Sequence, residues 1–218
     1  VVVTPTWADN GVNVEVDVPG KVHKTTTKDR LKPVTNIELY WAKGTSFSKK
    51  LGRALADNKI PVYWNEASGF YYVTDLPSAP VGATHLLFVA KFDRKTKVAA
   101  LALPTVTVAN ASPIDEGNGD PRDPKNHAAF TVTLSRKSPQ PVTVWFTTLK
   151  GSGSDGAKPG VDYETTFGSI VIPAGETHGV IEVPIIGETT YERDEWFTVK
   201  LIQAQNAVVD KAHALAKG

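Results

Sequence analysis

Four acidic residues lie within eight positions of this 218-residue chain, and they are its clearest sign of chemistry. They are Glu188, Glu192, Asp194 and Glu195. Carboxylates this close repel one another unless water, a basic group or a hard cation compensates their charge, and Ca²⁺ binds oxygen atoms presented by flexible loops. The segment is therefore a candidate calcium site. The alternative that stays open is that these acids only keep one end of the protein soluble.

The residues that follow these acids predict a strand. Apolar and polar residues alternate over 197–201, which is the two-residue period of a strand with one buried face. The same alternation predicts strands at 11–18, 36–42, 70–76, 84–92 and 98–103. Helical periodicity is nearly absent, and 48–58 is expected to be irregular or to hold one helical turn. Short strands at this spacing predict an all-β protein of two tandem immunoglobulin-like β-sandwiches, residues 1–105 and 106–218.

Composition excludes several classes of site. The chain contains no cysteine, which rules out a disulfide framework, a thiolate zinc site and a cysteine nucleophile. No apolar run approaches the roughly 18 to 20 residues of a membrane-spanning helix, and the amino end lacks the pattern of a signal peptide. Methionine is also absent, so we expect the chain to be part of a longer polypeptide.

The charge pattern does not predict a nucleic-acid partner. The net charge is +1, with the basic residues concentrated in the first half and the acidic residues in the second. The lysines of the first half are scattered and belong to no RNA- or DNA-reading motif, so they are interpreted as a solvated surface.

Several motifs of the second half occur together in a characteristic order. They are IDEGNG (114–119), AFTVTLS (129–135), PVTVWFT (141–147), GVDYE (160–164), GSIVIPAGE (168–176), the acidic segment and Asn206-Ala207. In this order and spacing they resemble a Calx-β module, the immunoglobulin-like calcium-binding domain of sodium–calcium exchangers, integrin β4 and many bacterial surface proteins. The resemblance covers roughly half of the chain.

This resemblance implies a set of Ca²⁺ ligands and one departure from the family pattern. The implied metal ligands are Glu116, Asp162, Glu188, Glu192 and Glu195, with Glu188 standing where the family usually has aspartate. The chain ends without the family's terminal aspartates, and most of the last strand is expected to be missing. Fewer charged ligands predict weak binding, with a Kd of roughly 10⁻⁴ to 10⁻³ M. A missing strand would also leave an open sheet edge that another protein strand can join.

The first half resembles, more distantly, the immunoglobulin-like CARDB modules of bacterial extracellular proteins. The residues that carry this resemblance are IELYWAKG (37–44), GFYYVTDLP (69–77) and PVGATHLLFV (80–89). No Gly/Ser-rich spacer separates the two halves, which predicts a short, stiff junction. The glycine-rich stretch 151–156 lacks the residues of a phosphate-binding loop and is interpreted as a flexible loop.

Aromatic residues of the first half support an alternative function. Tyr63, Trp64 and Tyr71 lie in segments where alternation leaves some rings near the surface, and exposed rings can stack on sugars. The other interpretation is that these rings only cover strand faces.

Catalysis has no candidate residues. The five histidines are far apart, and no Gly-x-Ser-x-Gly elbow is present. The sequence therefore predicts a non-catalytic module for adhesion or spacing in an extracellular or cell-surface protein, with a weak Ca²⁺ site. Its expected partners are neighbouring domains of a longer parent chain and another protein strand at the open edge. The alternative is a carbohydrate-binding accessory module of a secreted enzyme.

Overall fold

The regular secondary structure of the described residues is almost all β-strand. A computed structural model describes residues 2–8, 11–17, 37–53, 62–65, 70–73, 76–92, 95–117, 126–187 and 193–218. In the first half the strands are β1 (Val2–Ala8), β2 (Gly11–Asp17), β3 (Ile37–Ala42), β4 (Lys50–Arg53), β5 (Val62–Asn65), β6 (Phe70–Val73), β7 (His85–Phe92) and β8 (Lys95–Ala102). In the second half they are β9 (Thr105–Val108), β10 (His127–Leu134), β11 (Val142–Leu149), β12 (Phe167–Ile172), β13 (His178–Pro184), β14 (Thr198–Gln205), β15 (Val208–Val209) and β16 (Leu215–Lys217).

The first sandwich packs two four-stranded sheets, with strand orders β1-β2-β6-β5 and β4-β3-β7-β8. Leu39 and Trp41 of β3 and Phe88 of β7 form its core, and Val12 of β2 enters the same cluster from the other sheet. These positions are two residues apart within β3, so alternation turns them to one face. The core of the first sandwich is therefore the product of the predicted two-residue period.

The second sandwich packs the sheets β13-β10-β9-β15 and β12-β11-β14-β16. Phe130 of β10 and Ile181 of β13 face Val144 of β11 and Leu201 of β14 across its core. Along β10 and β11 buried residues alternate strictly with more exposed ones. The all-β class and the two sandwiches predicted from the sequence are confirmed.

A very short connection joins the two sandwiches. Only Leu103 and Pro104 separate β8 from β9, and both are buried. The short junction expected from the sequence is present, because β9 begins three residues after the last residue of β8. The sequence-based division between 105 and 106 falls inside β9, whereas the chain passes from one sandwich to the other one residue earlier.

The carboxyl end forms a short strand of three residues, where most of a last strand was expected to be missing. β16 pairs antiparallel with β14, from Thr198↔Lys217 to Lys200↔Leu215. The strand is shorter than β14, which has eight residues. Its buried position is Ala216, and alanine has a low strand propensity, so the sequence pattern did not reveal it.

The predicted strands of the first half correspond to β2, β3, β6, β7 and β8, while β1, β4 and β5 were not predicted. A 3-10 turn at Phe47–Lys49 overlaps only the start of 48–58, and Lys50–Arg53 form β4, so the irregular structure or helical turn expected in this segment is wrong for these four residues. Residues 54–58 lie outside the described part of the chain. Across the described residues, no helix has the length and apolar character needed to cross a lipid bilayer.

Candidate functional site

Loops from distant parts of the sequence meet at the end of the second sandwich that is remote from the junction. We call this end the acidic tip; it comprises residues 109–117, 150–166, 185–187 and 193–197. Hydrogen bonds join its loops: Ile186 N–H donates to the Asp162 carbonyl at 3.0 Å, and Trp196 N–H donates to the Asp155 carbonyl at 3.0 Å. Ala111 N–H donates to the Lys217 carbonyl at 2.9 Å. Both flanks of the acidic segment are thereby bonded to the loop that carries Asp162.

Asp162 is the most buried acid of the tip, with 4% of its surface exposed. Its Oδ2 accepts a hydrogen bond of 2.6 Å from the backbone N–H of Lys158, and its own N–H donates to the Lys158 carbonyl at 3.0 Å. These bonds close a tight turn around the carboxylate. Asp162 therefore stabilises the conformation of this loop, because both of these hydrogen bonds join it to Lys158. A buried carboxyl oxygen needs such a donor.

Tyr163 anchors the same turn in the core. Its side chain is 1% exposed, and its ring stacks on Phe197 with ring centroids 4.3 Å apart. Burial raises the pKa of the Tyr163 hydroxyl, and the nearby charge of Asp162 raises it further. The ring thus links the acid-bearing turn to the strand segment that follows the acidic residues.

Two glycines let the backbone of loop 150–157 lie directly against Trp196. Gly156 forms a parallel bridge with Trp196, and Ala157 N–H donates to the Trp196 carbonyl at 2.9 Å. A Cβ on Gly151 would lie 1.9 Å from the Trp196 carbonyl oxygen. Sequence analysis interpreted 151–156 as a flexible loop, but Gly151 and Gly156 are buried and hold the segment next to Glu195. The signal that was available is the pair of glycines flanking an otherwise polar loop.

A basic group also lies at the tip. Lys217 Nζ lies 4.0 Å from the centroid of the Trp196 ring, in a cation–π contact. The Lys217 N–H donates to Asn110 Oδ1 at 2.8 Å, which fixes the chain end against the 109–117 loop. Sequence analysis did not single out Lys217, because its proximity to the acidic segment depends on the pairing of β16 with β14.

The predicted metal ligands have different outcomes. Glu116, Asp162 and Glu195 belong to loops of the acidic tip, and one carboxylate oxygen of Glu195, Oε2, is buried. Glu188 and Glu192 lie outside the described residues. Within the part of the chain that the structure describes, no three His, Cys, Asp or Glu side chains are grouped closely enough to hold a metal ion. The oxygen chemistry of the tip suits Ca²⁺, while the described acids alone do not form a complete site.

The predicted sugar-binding residues lie on adjacent strands of the first sandwich. Trp64 of β5 is the direct cross-strand partner of Tyr71 of β6, and Tyr63 pairs with Tyr72. β5 is at the edge of its sheet. The structure describes these positions through their strand pairing only.

Comparisons with known proteins point to one family for the second sandwich. The model of the Calx-beta domain matches residues 124–216, which include Asp162 and Glu195 but not Glu116. No curated protein matches the chain.

Several solved structures are similar at low identity. The apo form of the Calx CBD1 domain has a TM-score of 0.39 and 14% identity, covering 53% of this chain and 95% of that chain. CBD12 from CALX1.2 has a TM-score of 0.40 and 14% identity, covering 52% and 43%. The calcium binding domain CBD12 of CALX1.1 has a TM-score of 0.35 and 18% identity, covering 42% and 38%. The chain thus spans less than half of the two CBD12 structures.

We predict that Gly151→Ala destabilises the protein, because the added Cβ would collide with the Trp196 carbonyl and force the backbone apart. The free energy of unfolding should fall by about 1–3 kcal/mol, as in other overpacked sites. Urea denaturation measures it. Ser152→Ala, an exposed neighbour in the same loop, is the control and should change stability by less than about 0.5 kcal/mol. Equal stability of the two variants would contradict this account of the loop.

The raised pKa of Tyr163 predicts a loss of stability at alkaline pH. The unfolded chain releases the Tyr163 proton near its ordinary pKa of about 10, whereas the folded protein keeps it to higher pH. The contribution of the protonated Tyr163 hydroxyl to the free energy of unfolding is therefore complete below pH 10, and it is lost as pH rises through the folded-state pKa. Tyr163→Phe keeps the stacked ring and removes this titration, so its stability should fall less steeply above pH 10 than that of the wild type. Parallel curves in urea denaturation at pH 8 to 11 would show the prediction to be wrong.

Proposed function

We propose that this protein is a non-catalytic spacing or adhesion module of an extracellular or cell-surface protein, and that its acidic tip binds Ca²⁺ weakly. The observation that carries the proposal is the hydrogen bonding around Asp162. Ile186 and Trp196, on either side of the acidic segment, are both bonded to the loop that contains this carboxylate. Acids separated by more than twenty positions in the sequence therefore belong to one end of the sandwich.

The chemistry of the tip supports a hard cation. Ca²⁺ takes six to eight oxygen ligands, and carboxylates, backbone carbonyls and water all serve. In Asp162 one oxygen is engaged by Lys158 N–H, which leaves the other carboxylate oxygen for a cation. Glu195 and the acids at 188 and 192 would supply further charge. Bound Ca²⁺ would offset the repulsion among these acids and link the loops that carry them.

The same tip contains features that oppose tight binding. Lys217 carries a positive charge beside Trp196, and Arg193 lies within the acidic segment itself. Each nearby cation raises the free energy of a bound divalent ion. These charges support an affinity in the range of roughly 10⁻⁴ to 10⁻³ M, where extracellular modules bind Ca²⁺.

The match of residues 124–216 to the Calx-beta domain family supports the calcium proposal and the absence of catalysis. The proposed partners are neighbouring domains of a longer chain and a strand from another protein. The second is supported by the short β16, because over 202–205 the strand pairing described for β14 is with β11 alone. Edge backbone groups of this kind accept an added strand.

We predict that Ca²⁺ raises the Tm of the protein. With a Kd of roughly 10⁻³ M, about 10 mM Ca²⁺ should stabilise the folded state by about 1.4 kcal/mol. For a module of this size that is a rise of several degrees in Tm by scanning calorimetry, relative to the protein in chelator. Asp162→Asn and Glu195→Gln should reduce the rise, since each removes a charge from the site while keeping a side chain of the same shape.

Glu176→Gln is the matched control for this experiment. Glu176 is exposed in the connection from β12 to β13, which lies at the opposite end of the sandwich from the tip. Its substitution therefore removes the same charge without changing the tip. It should leave the full rise in Tm, and Mg²⁺ at the same ionic strength should give less. An unchanged Tm of the wild type between chelator and Ca²⁺ removes the calcium proposal and leaves the spacing role alone.

Carbohydrate binding by the first sandwich is the second candidate function. The observation that favours it is the direct pairing of Trp64 with Tyr71, which brings two aromatic residues together at a sheet edge.

If these residues bind sugars, the protein should be retained on insoluble cellulose or chitin, and Trp64→Ala or Tyr71→Ala should abolish the retention. Phe167→Ala is the control, because Phe167 is an aromatic residue with 73% of its surface exposed, on the other sandwich. Retention that survives both substitutions, or that is lost equally in the control, would exclude this site. Depletion of the protein from solution, measured against polysaccharide concentration, gives the readout.

A further inference from the structure

Side chains at the end of the second sandwich opposite to the acidic tip form hydrogen bonds with the first sandwich, and one of them, Asn206, is buried. We call this set the junction lock; it consists of Asn206, Gln140 and Arg136 from the second sandwich, with the residues they contact in the first. All of its hydrogen bonds span at least 34 positions of sequence. These contacts are therefore a product of the tertiary structure, although Asn206 itself belongs to the Asn206-Ala207 motif of the sequence.

Asn206 is the centre of the junction lock. It is 5% exposed, and it lies in the turn between β14 and β15. Its Oδ1 accepts a hydrogen bond of 2.5 Å from Ala79 N–H, and its Nδ2 donates to Ser78 Oγ at 3.3 Å and to the Pro141 carbonyl at 2.7 Å. One amide thus joins two residues of the first sandwich to the β10–β11 connection of the second, residues 135–141.

The backbone at Asn206 explains why asparagine suits this position. Its φ is +65°, in the left-handed region, where glycine and asparagine are the residues that fit with least strain. Glycine would satisfy the turn but would provide no amide group to cross the junction. Asparagine satisfies both requirements, because its short side chain tolerates the conformation and carries a donor and an acceptor.

Two further side chains of the β10–β11 connection, Arg136 and Gln140, form hydrogen bonds with the first sandwich. Gln140 Nε2 donates to the Leu76 carbonyl at 2.7 Å. Arg136 Nη2 donates to the Ala102 carbonyl, which also accepts a hydrogen bond of 2.7 Å from Trp7 Nε1, and the Arg136 guanidinium lies 5.8 Å from the Trp7 ring centroid. The Arg136 attachment therefore reaches strands β1 and β8 together.

Apolar packing covers the space between these attachments. Val208 of the second sandwich packs against the core cluster of the first. A small cavity at the junction is lined by Trp7, Trp41, Leu76 and Leu103 on one side and by Ser138, Pro139, Gln140 and Asn206 on the other. The two sandwiches are joined by a link of two residues and by the hydrogen bonds of Asn206, Gln140 and Arg136. Together these contacts restrict the rotation of one sandwich against the other.

We propose that the junction lock makes the two sandwiches a single rigid body that unfolds as one cooperative unit, with Asn206 as the residue that fixes their relative orientation. Domains joined in one chain ordinarily move relative to each other unless their interface is large and apolar. Here the hydrogen bonds of Asn206 substitute for area, since breaking them would leave the buried Asn206 amide and the Ala79 N–H without these partners. The proposal does not depend on Ca²⁺.

The test measures orientation and cooperativity of the full chain in chelator. Residual dipolar couplings of the wild type, fitted separately for 76–92 and 126–187, should give one shared alignment tensor, and calorimetry should give one transition. Asn206→Gly keeps the left-handed turn and removes the amide, so it should give two different tensors and two transitions. Gln203→Ala, an exposed residue of β14 that takes no part in the hydrogen bonds of the junction lock, should behave as the wild type does.

Each other outcome is decisive. Two tensors or two transitions in the wild type would overturn the rigid body. A shared tensor in Asn206→Gly would overturn the role of Asn206. Gln140→Ala, which removes one attachment and leaves the Asn206 turn intact, is measured alongside and should broaden the calorimetric transition and separate the tensors by a smaller angle. If it leaves both unchanged while Asn206→Gly does not fold, the lock is also excluded.

Discussion

The structure depends on the pairing of two sheet faces in each sandwich, which buries every second residue of the central strands. In the second sandwich Phe130 and Ile181 of one sheet lie against Val144 and Leu201 of the other, and the alternation that brings them together leaves their neighbours outside. A sandwich of this kind has two ends, and all of its connections must lie at one or the other. The position of each loop is therefore decided by the direction of the strands it joins.

The second sandwich uses its two ends for opposite purposes. At one end, the buried amide of Asn206 and the side chain of Gln140, in the β10–β11 connection, form hydrogen bonds with backbone groups of the first sandwich. At the other end, Asp162 is buried as a carboxylate and satisfied by backbone N–H of its own turn. Buried polar groups need partners in both places. The partners are across the junction in one case and within the loop in the other, so the first end joins modules and the second remains open to solvent and ions.

These two ends are mechanically connected. β14 begins next to the acidic tip and ends at the turn that contains Asn206. Its residues pair with β11 along the whole length, apart from one irregularity between Trp145 and Phe146. Under the proposed spacing role, β14 would carry an orientation fixed at the junction to the tip.

Some features were within reach of the sequence and others were not. Alternation located β2, β3 and β7 correctly, because a half-buried strand writes its two-residue period into neighbouring positions. The same method missed β1, where Thr4, Pro5 and Thr6 interrupt the apolar pattern, and β16, whose buried residue is alanine. In both cases the pairing partner, rather than local propensity, makes the strand.

The acidic segment was recognisable from composition alone, whereas its surroundings were not. Glu195 and Asp162 stand out as acids in a sequence that otherwise predicts strands. That Lys217 lies beside Trp196, that Gly151 lies against the Trp196 carbonyl, and that Tyr163 stacks on Phe197 follow from strand order. Each of these contacts joins residues more than twenty positions apart.

The sequence by itself determined the buried face of strands such as β3 and β7, the all-β class and the presence of an acidic segment, because these depend on spacings of one or two residues. The tertiary structure decided which loops share an end of the sandwich and which carbonyl Asn206 and Gln140 reach. The physical reason is that side-chain alternation is a local property of the backbone, whereas hydrogen-bond partners across a junction are set by the order and direction of strands far apart in the chain.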